Sequence, residues 1–169
     1  MENLLFILAT SFVLRIASPR KAGNHFIGST GCSVLLMDGK EFETSKTSSG
    51  DDVYFNEYKE KGITYGIICI DMKKQFSLKE ATRMLFAYMH KLKGPFYIFH
   101  NVGSEKSADW NQTGTSTLVD YWQDAVGVDC KVKGYTNGRI LAVLYVKNIS
   151  EAEVSRQELF LDSFHFGDC

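Results

Sequence analysis

Apolar and polar residues alternate along several short runs of this chain, and that spacing predicts β-strands. The clearest run is residues 63–71 (ITYGIICID), in which every second residue from Ile63 to Cys69 shares one face. Ile68 and Ile70 share the opposite face. Apolar residues on both faces indicate a central strand that is covered on at least one side.

Turn signals separate further runs that predict strands. Lys59-Glu60-Lys61-Gly62 follows the run at 53–58 and is typical of a hairpin, and Asn137-Gly138 predicts a second hairpin turn. In the run at 126–132, we expect the even-numbered residues to face inward, whereas 47–52 predicts a polar loop. The remaining predicted strands are residues 32–37, 96–102, 117–123 and 139–147.

Two segments carry helical signals. In residues 77–93, Ser77 and Glu80 have the spacing of a capping box, and Gly94-Pro95 ends the segment. Ser150 predicts the cap of a final helix, with Glu153 at the capping-box position. The apolar stripe of the first helix comprises Leu78, Ala81, Leu85, Tyr88 and Leu92, widened by Met84 and Met89, and the expected core contacts of the last helix are Val154, Leu161 and Phe164.

The predicted order of elements is therefore β-β-β-α-β-β-β-β-α. Strands that follow one another in runs favour antiparallel pairing, because parallel neighbours need long crossovers. The sequence thus predicts an α+β fold: a mainly antiparallel sheet packed by two or more α-helices.

The N-terminus differs from the rest of the chain. Residues 4–14 (LLFILATSFVL) form the most apolar segment, too short to span a membrane but of the length found in signal peptides. We therefore expect residues 1–22 to be a signal peptide or an N-terminal apolar segment, and residues 23–169 to form one domain. The first reading predicts export to the periplasm or the extracellular space. If residues 4–14 instead belong to the fold, a cytoplasmic location follows.

The net charge of the chain bears on which class of partner is expected. The chain carries 19 Lys and Arg against 20 Asp and Glu, a net charge of -1. Nucleic acid is not an expected partner, since binding it requires a basic excess.

Four segments between residues 32 and 166 resemble the Mog/PsbP/DcrB-like fold. They are the opening strand CSVLLMDGKEFETSK, the hairpin YFNEYKEKGITYGIICID, the strand pair around GYTNGRILAVLYV and the closing segment FLDSF. Cys32 and Asp38 occupy regions where that family usually has Phe and Pro. The resemblance implies a PsbP-like sandwich in a small exported bacterial protein.

That resemblance also implies a function, because characterised proteins with this fold are mostly non-enzymatic. We expect an accessory protein that contacts a protein partner or a membrane complex through its sheet face or its loops. One alternative is a cytosolic, chaperone-like protein that holds an apolar helix, as in type VI secretion. The other is an enzyme with a His or Cys site assembled in space.

Catalytic signals are sparse. His25, His90, His100 and His165 lack the spacing of a zinc site, so we expect neither a metal nor a cofactor. His100 ends an aromatic run and is a possible general base, yet the sequence arranges no nucleophile for it. We therefore predict that the protein is not an enzyme.

Three residues are candidates for binding. Trp110 lies in the polar stretch 103–117, and a Trp in a loop often anchors a contact, although packing back onto the sheet is equally consistent. His100 and Asn101 follow the aromatic run before that stretch. We expect these three side chains to contribute to an interaction surface.

The four cysteines are Cys32, Cys69, Cys130 and Cys169. Their spacing contains no C-x-x-C motif, which disfavours redox and zinc-ribbon functions. Cys69 and Cys130 lie on apolar strand faces and are expected to be buried. In an exported protein all four become disulfide candidates, and three complete pairings are open.

Overall fold

A seven-stranded sheet forms the centre of the molecule and carries a layer on each face. The computed structural model describes residues 23–37, 39–103 and 114–167. Its strands are β1 (Gly23–Phe26), β2 (Ser33–Leu36), β3 (Glu43–Lys46), β4 (Asp52–Glu60), β5 (Ile63–Asp71), β6 (Ile98–Gly103), β7 (Ser116–Asp124), β8 (Asp129–Thr136) and β9 (Ile140–Lys147). The helices are α1 (Leu78–Leu92) and α2 (Val154–Leu161), the latter preceded by a 3-10 turn at Glu151–Glu153.

The large sheet has the order β3-β4-β5-β9-β8-β7-β6, and all of its neighbouring strands are antiparallel. β4 and β5 are joined by Lys61 and Gly62, both with positive φ, which suits the twist of a two-residue hairpin. β5 lies between β4 and β9, so its prediction as a central strand is confirmed. Asn137 and Gly138 lie, with Arg139, in the connection between β8 and β9.

Helix α1 covers one face of the sheet over β7, β8 and β9. Its capping box is present as predicted: the Glu80 backbone N–H donates to Ser77 Oγ, and the Ser77 N–H donates to Glu80 Oε2. Gly134 lies beneath the helix, where an added Cβ would come within 2.7 Å of Met89 Sδ. A glycine at this position therefore lets α1 pack directly against β8.

The other face is covered by β1 and β2 together with α2. We call β1, β2 and the turn between them the hairpin layer. Its side chains Ile27, Val34 and Leu36 are buried against the sheet. The Ser33 and His165 backbones exchange two hydrogen bonds, which tie β2 to the segment after α2.

A tyrosine crosses the sheet surface beneath α1. Tyr145 on β9 is fully buried, and its hydroxyl donates to the Glu57 carboxylate on β4. The ring passes over Gly66 on β5, where an added Cβ would lie 2.1 Å from Tyr145 Cζ. The sheet accommodates this ring because residue 66 has no side chain.

Two strands were not predicted from the alternation of apolar and polar residues, although the opening segment of the family resemblance, residues 32–46, includes the second of them. β1 (GNHF) and β3 (ETSK) are four residues each and lack a run of alternating apolar residues. β3 instead forms by pairing with β4, and the turn 47–51 joins the two. Their pairing partners, rather than their own composition, determine these strands.

The prediction for residues 126–132 was wrong at its start. Val126 is 83% exposed and lies in the turn between β7 and β8, because the Asp124 carboxylate accepts hydrogen bonds from the Val126 and Val128 backbones. Such a side chain stabilises a turn in place of a strand. Cys130 and Val132 do point inward, as expected.

The final helix begins later than predicted. Ser150 makes no side-chain capping bond and precedes the 3-10 turn, and α2 starts at Val154. Val154 is 44% exposed, so its expected core contact is wrong. Leu161 and Phe164 are buried, as predicted.

The α+β class with a mainly antiparallel sheet is confirmed. Within residues 23–37, 39–103 and 114–167, no helix has the length and apolar character that crossing a membrane requires. The expected signal peptide at residues 1–22 lies outside the described residues and stays a prediction.

Candidate functional site

A cavity of about 310 Å³ lies on the α1 side of the sheet, next to the helix. We call it the α1 groove. β4 and β5 contribute its floor and α1 contributes one wall. The side chains that define it are Val53, Phe55, Ile68, Ile70, Met84 and Tyr88.

The floor is apolar because β4 and β5 each place alternate residues on this face. Val53 and Ile70 are paired across the two strands, as are Phe55 and Ile68. α1 makes its contacts with the sheet on β7, β8 and β9, which lie on the far side of β5 from β4. The helix therefore leaves these four side chains at the bottom of a groove.

The wall comes from a second stripe of α1. Met84, Ala87, Tyr88 and Lys91 are spaced by three or four residues and line the groove together. Met84 is 37% exposed, and a Met side chain adapts its shape to many apolar surfaces. Tyr88 is half-buried, and that burial raises the pKa of its hydroxyl.

One end of the groove is polar and held in a fixed conformation. The Asp51 carboxylate accepts hydrogen bonds from Thr47 Oγ1 (3.0 Å), Ser49 Oγ (2.6 Å) and the Lys73 backbone N–H (3.0 Å). Partial burial raises the pKa of Asp51, but these hydrogen bonds and the Lys73 charge outweigh it and leave the pKa below its usual value. Asp51 is therefore ionised at neutral pH, and its oxygens accept hydrogen bonds from within the protein.

The groove extends to the edge of the sheet. Glu43 and Ser45 on β3 pair with Phe55 and Val53, so they share the face that bears the groove. No described strand lies beyond β3. A ligand can therefore enter from this edge as well as from above.

Two of the three predicted binding residues lie away from the α1 groove, and the third is outside the described residues. The backbones of His100 and Asn101 are in β6, opposite Gln123 and Trp122. β6 is at the far edge of the sheet from β3, so these two positions are not part of the groove. Trp110 lies outside the described residues, and its role stays a prediction.

The cysteines in the described part of the chain are buried thiols. Cys32, Cys69 and Cys130 are each at most 2% exposed. Burial raises the pKa of Cys69 well above its usual value and that of Cys130 to about 12. Since the thiolate is the nucleophile, neither is activated for catalysis. Cys169 lies outside the described residues.

Metal-binding chemistry finds no support in the part of the chain that the structure describes. No group of three or more His, Cys, Asp or Glu side chains comes together there in a way that could hold an ion. The described histidines His25, His90 and His165 do not line the groove.

Sequence reasoning missed the groove, although part of its signal was present. The buried face of α1 consists of Ala81, Leu85, Met89 and Leu92. Met84 and Tyr88 widen the apolar stripe of the helix beyond that face. The sequence did not indicate where α1 lies across the strands, and that placement decides where the groove forms.

No family model matches the chain, and no curated protein matches it.

Proposed function

We propose that this chain is a non-catalytic binding protein that receives apolar side chains of a protein partner in the α1 groove. The single observation that carries the proposal is the α1 groove itself, an apolar cavity of about 310 Å³ between α1 and the β4–β5 floor. Its floor side chains Val53, Ile68 and Ile70 are at most 7% exposed, so they are in place without a ligand. A partner that inserts apolar groups would fill the space that remains above them.

The extension of the groove to the β3 edge of the sheet favours a protein over a small compound. Small-molecule sites usually enclose most of their ligand, with a few polar groups directed inward to orient it. Here the polar groups of Thr47, Ser49 and Asp51 bond to one another at one end. The remaining floor offers apolar contact out to the sheet edge, which suits an apolar anchor that projects from a larger surface.

A catalytic role has less support. Asp51 is the carboxylate at the polar end of the groove, and its lowered pKa and bound oxygens make it a weak base. The buried thiols of Cys69 and Cys130 have raised pKa values. The resemblance to the PsbP/DcrB-like fold supports the same choice, and with it an exported accessory protein.

Photo-crosslinking in the producing cell tests this function. A benzophenone amino acid would replace Met84 at the groove, and the matched control would carry it at Phe86, which is 53% exposed elsewhere on α1. We expect ultraviolet light to yield an adduct with a second polypeptide from position 84 and none from position 86. Identical adduct patterns at both positions, or no protein adduct at 84, would contradict the proposal.

A further inference from the structure

The fold divides the three cysteines of the described residues between the two faces of the sheet. Cys69 belongs to the core between the sheet and the hairpin layer, whereas Cys130 belongs to the core beneath α1. Cys32 lies in the first of these cores. The sheet therefore stands between Cys130 and the other two thiols.

Cys32 and Cys69 belong to the same core, between the sheet and the hairpin layer. Cys32, Val34 and Leu36 are the buried positions of the hairpin layer and face the sheet. Cys69 lies on the β5 face that also carries Tyr65 and Ile67, and that face looks toward the hairpin layer. Both side chains are thus buried between the same two layers.

The turn of the hairpin layer comes close to the sheet at this point. An added Cβ on Gly28 would lie 2.1 Å from the Tyr54 ring, so the backbone of the turn rests directly on that side chain. Tyr54 is the cross-strand partner of Cys69. Ile27 donates its N–H to the Cys32 carbonyl, which places Cys32 at the base of the same turn.

From this arrangement we infer that Cys32 and Cys69 are the pair that forms a disulfide when the protein meets an oxidant, and that Cys130 takes no part. The bond would fasten the hairpin layer to β5. It requires Cα atoms about 4.4–6.8 Å apart, and the turn is the part of the hairpin layer that lies against the sheet.

The reaction is a thiol–disulfide exchange with a small disulfide such as oxidised glutathione. One cysteine thiolate attacks it and releases one glutathione, and the second then displaces the other glutathione. The two thiols lose two protons and two electrons in total, and the glutathione disulfide becomes two glutathione thiols. Because both thiols are buried, the exchange takes place during folding or when the hairpin layer opens.

Peptide mapping tests the pairing directly. The full chain would be reduced, unfolded, refolded with reduced and oxidised glutathione, blocked with N-ethylmaleimide and digested with trypsin without reduction. Cleavage after Lys or Arg places each cysteine in its own peptide: residues 22–40, 62–73, 107–131 and 157–169. We expect a linked species of 22–40 with 62–73, and a blocked thiol in 107–131.

Variants provide the matched control. Cys130→Ser should keep the linked species, and Cys32→Ser should abolish it without creating a link between 62–73 and 107–131. If Cys32→Ser does not fold, Cys69→Ala serves the same purpose. Oxidation should raise the urea midpoint of the wild type and of Cys130→Ser alike. Blocked thiols at both Cys32 and Cys69, or a link from either one to another cysteine, would overturn the inference.

Discussion

Single residues without side chains determine how closely the layers of this protein approach. Gly66 lets the Tyr145 ring lie across β5 and reach Glu57, and Gly134 lets α1 rest on β8. Neither glycine is in a turn, so conformational freedom is not the reason for either one. The sequence alone predicts the strands that contain them but not this role, since the contact partner lies on another element.

Gly66→Ala tests the crossing of the sheet by Tyr145. The new methyl group would overlap the ring, so we expect a loss of about 1–3 kcal/mol in the free energy of unfolding, typical of an overpacked core. Urea denaturation measures the loss. Gly23→Ala is the matched control, because an added Cβ there meets no atom within 4 Å. Equal stability of the two variants would show that Tyr145 is not held in this position.

Asp51 provides a second test at a single residue, because its contribution to stability depends on pH. Its pKa is lower in the folded protein than its usual value, so it contributes stability above pH 4 that is lost as the pH falls through the folded pKa. We expect Asp51→Asn to reduce stability at pH 7 and to differ less from the wild type at pH 3. Urea midpoints at both pH values measure this. If the difference in urea midpoint between Asp51→Asn and the wild type grew on acidification, the lowered pKa of Asp51 would be contradicted.

At the scale of elements, local signals predicted α1 and the β4–β5 hairpin well. Both carry their own start and stop signals, in the Ser77 capping box and in the Lys61-Gly62 turn. β3 is followed by a predicted loop, but its own residues show no apolar alternation, and it forms by pairing with β4 across the turn 47–51. The wall of the α1 groove belongs to α1, which local signals predict. Its position also depends on β3 and on where α1 crosses the sheet, which those signals do not predict.

The capping box of α1 can be tested without touching the core. Ser77→Ala removes the oxygen that accepts from the Glu80 backbone, and we expect a loss of about 1 kcal/mol. Thermal or urea denaturation measures it. Ser77→Thr keeps a hydroxyl and should retain most of the stability. If both substitutions cost the same, the capping bond does not contribute in solution.

At the scale of the whole molecule, the two faces of the sheet differ in how they are covered. The α1 side has a 15-residue capped helix, and the other side has two four-residue strands together with α2. A two-stranded ribbon has little stability of its own and depends on its packing. The alternation of strands and helices predicted the class of fold, but nothing in it revealed that the hairpin layer would stand apart from the main sheet.

This asymmetry predicts an order of opening that the thiols can report. Regions with few packing contacts open at lower free energy than the core. In the reduced protein, we therefore expect opening of the hairpin layer to expose Cys32 and Cys69 while α1 still protects Cys130. Alkylation in low urea, followed by mass spectrometry of the tryptic peptides, should label 22–40 and 62–73 at similar rates and 107–131 more slowly. Equal rates for all three would mean that the two faces open together in a single cooperative step, and faster labelling of Cys130 would make α1 the weaker layer.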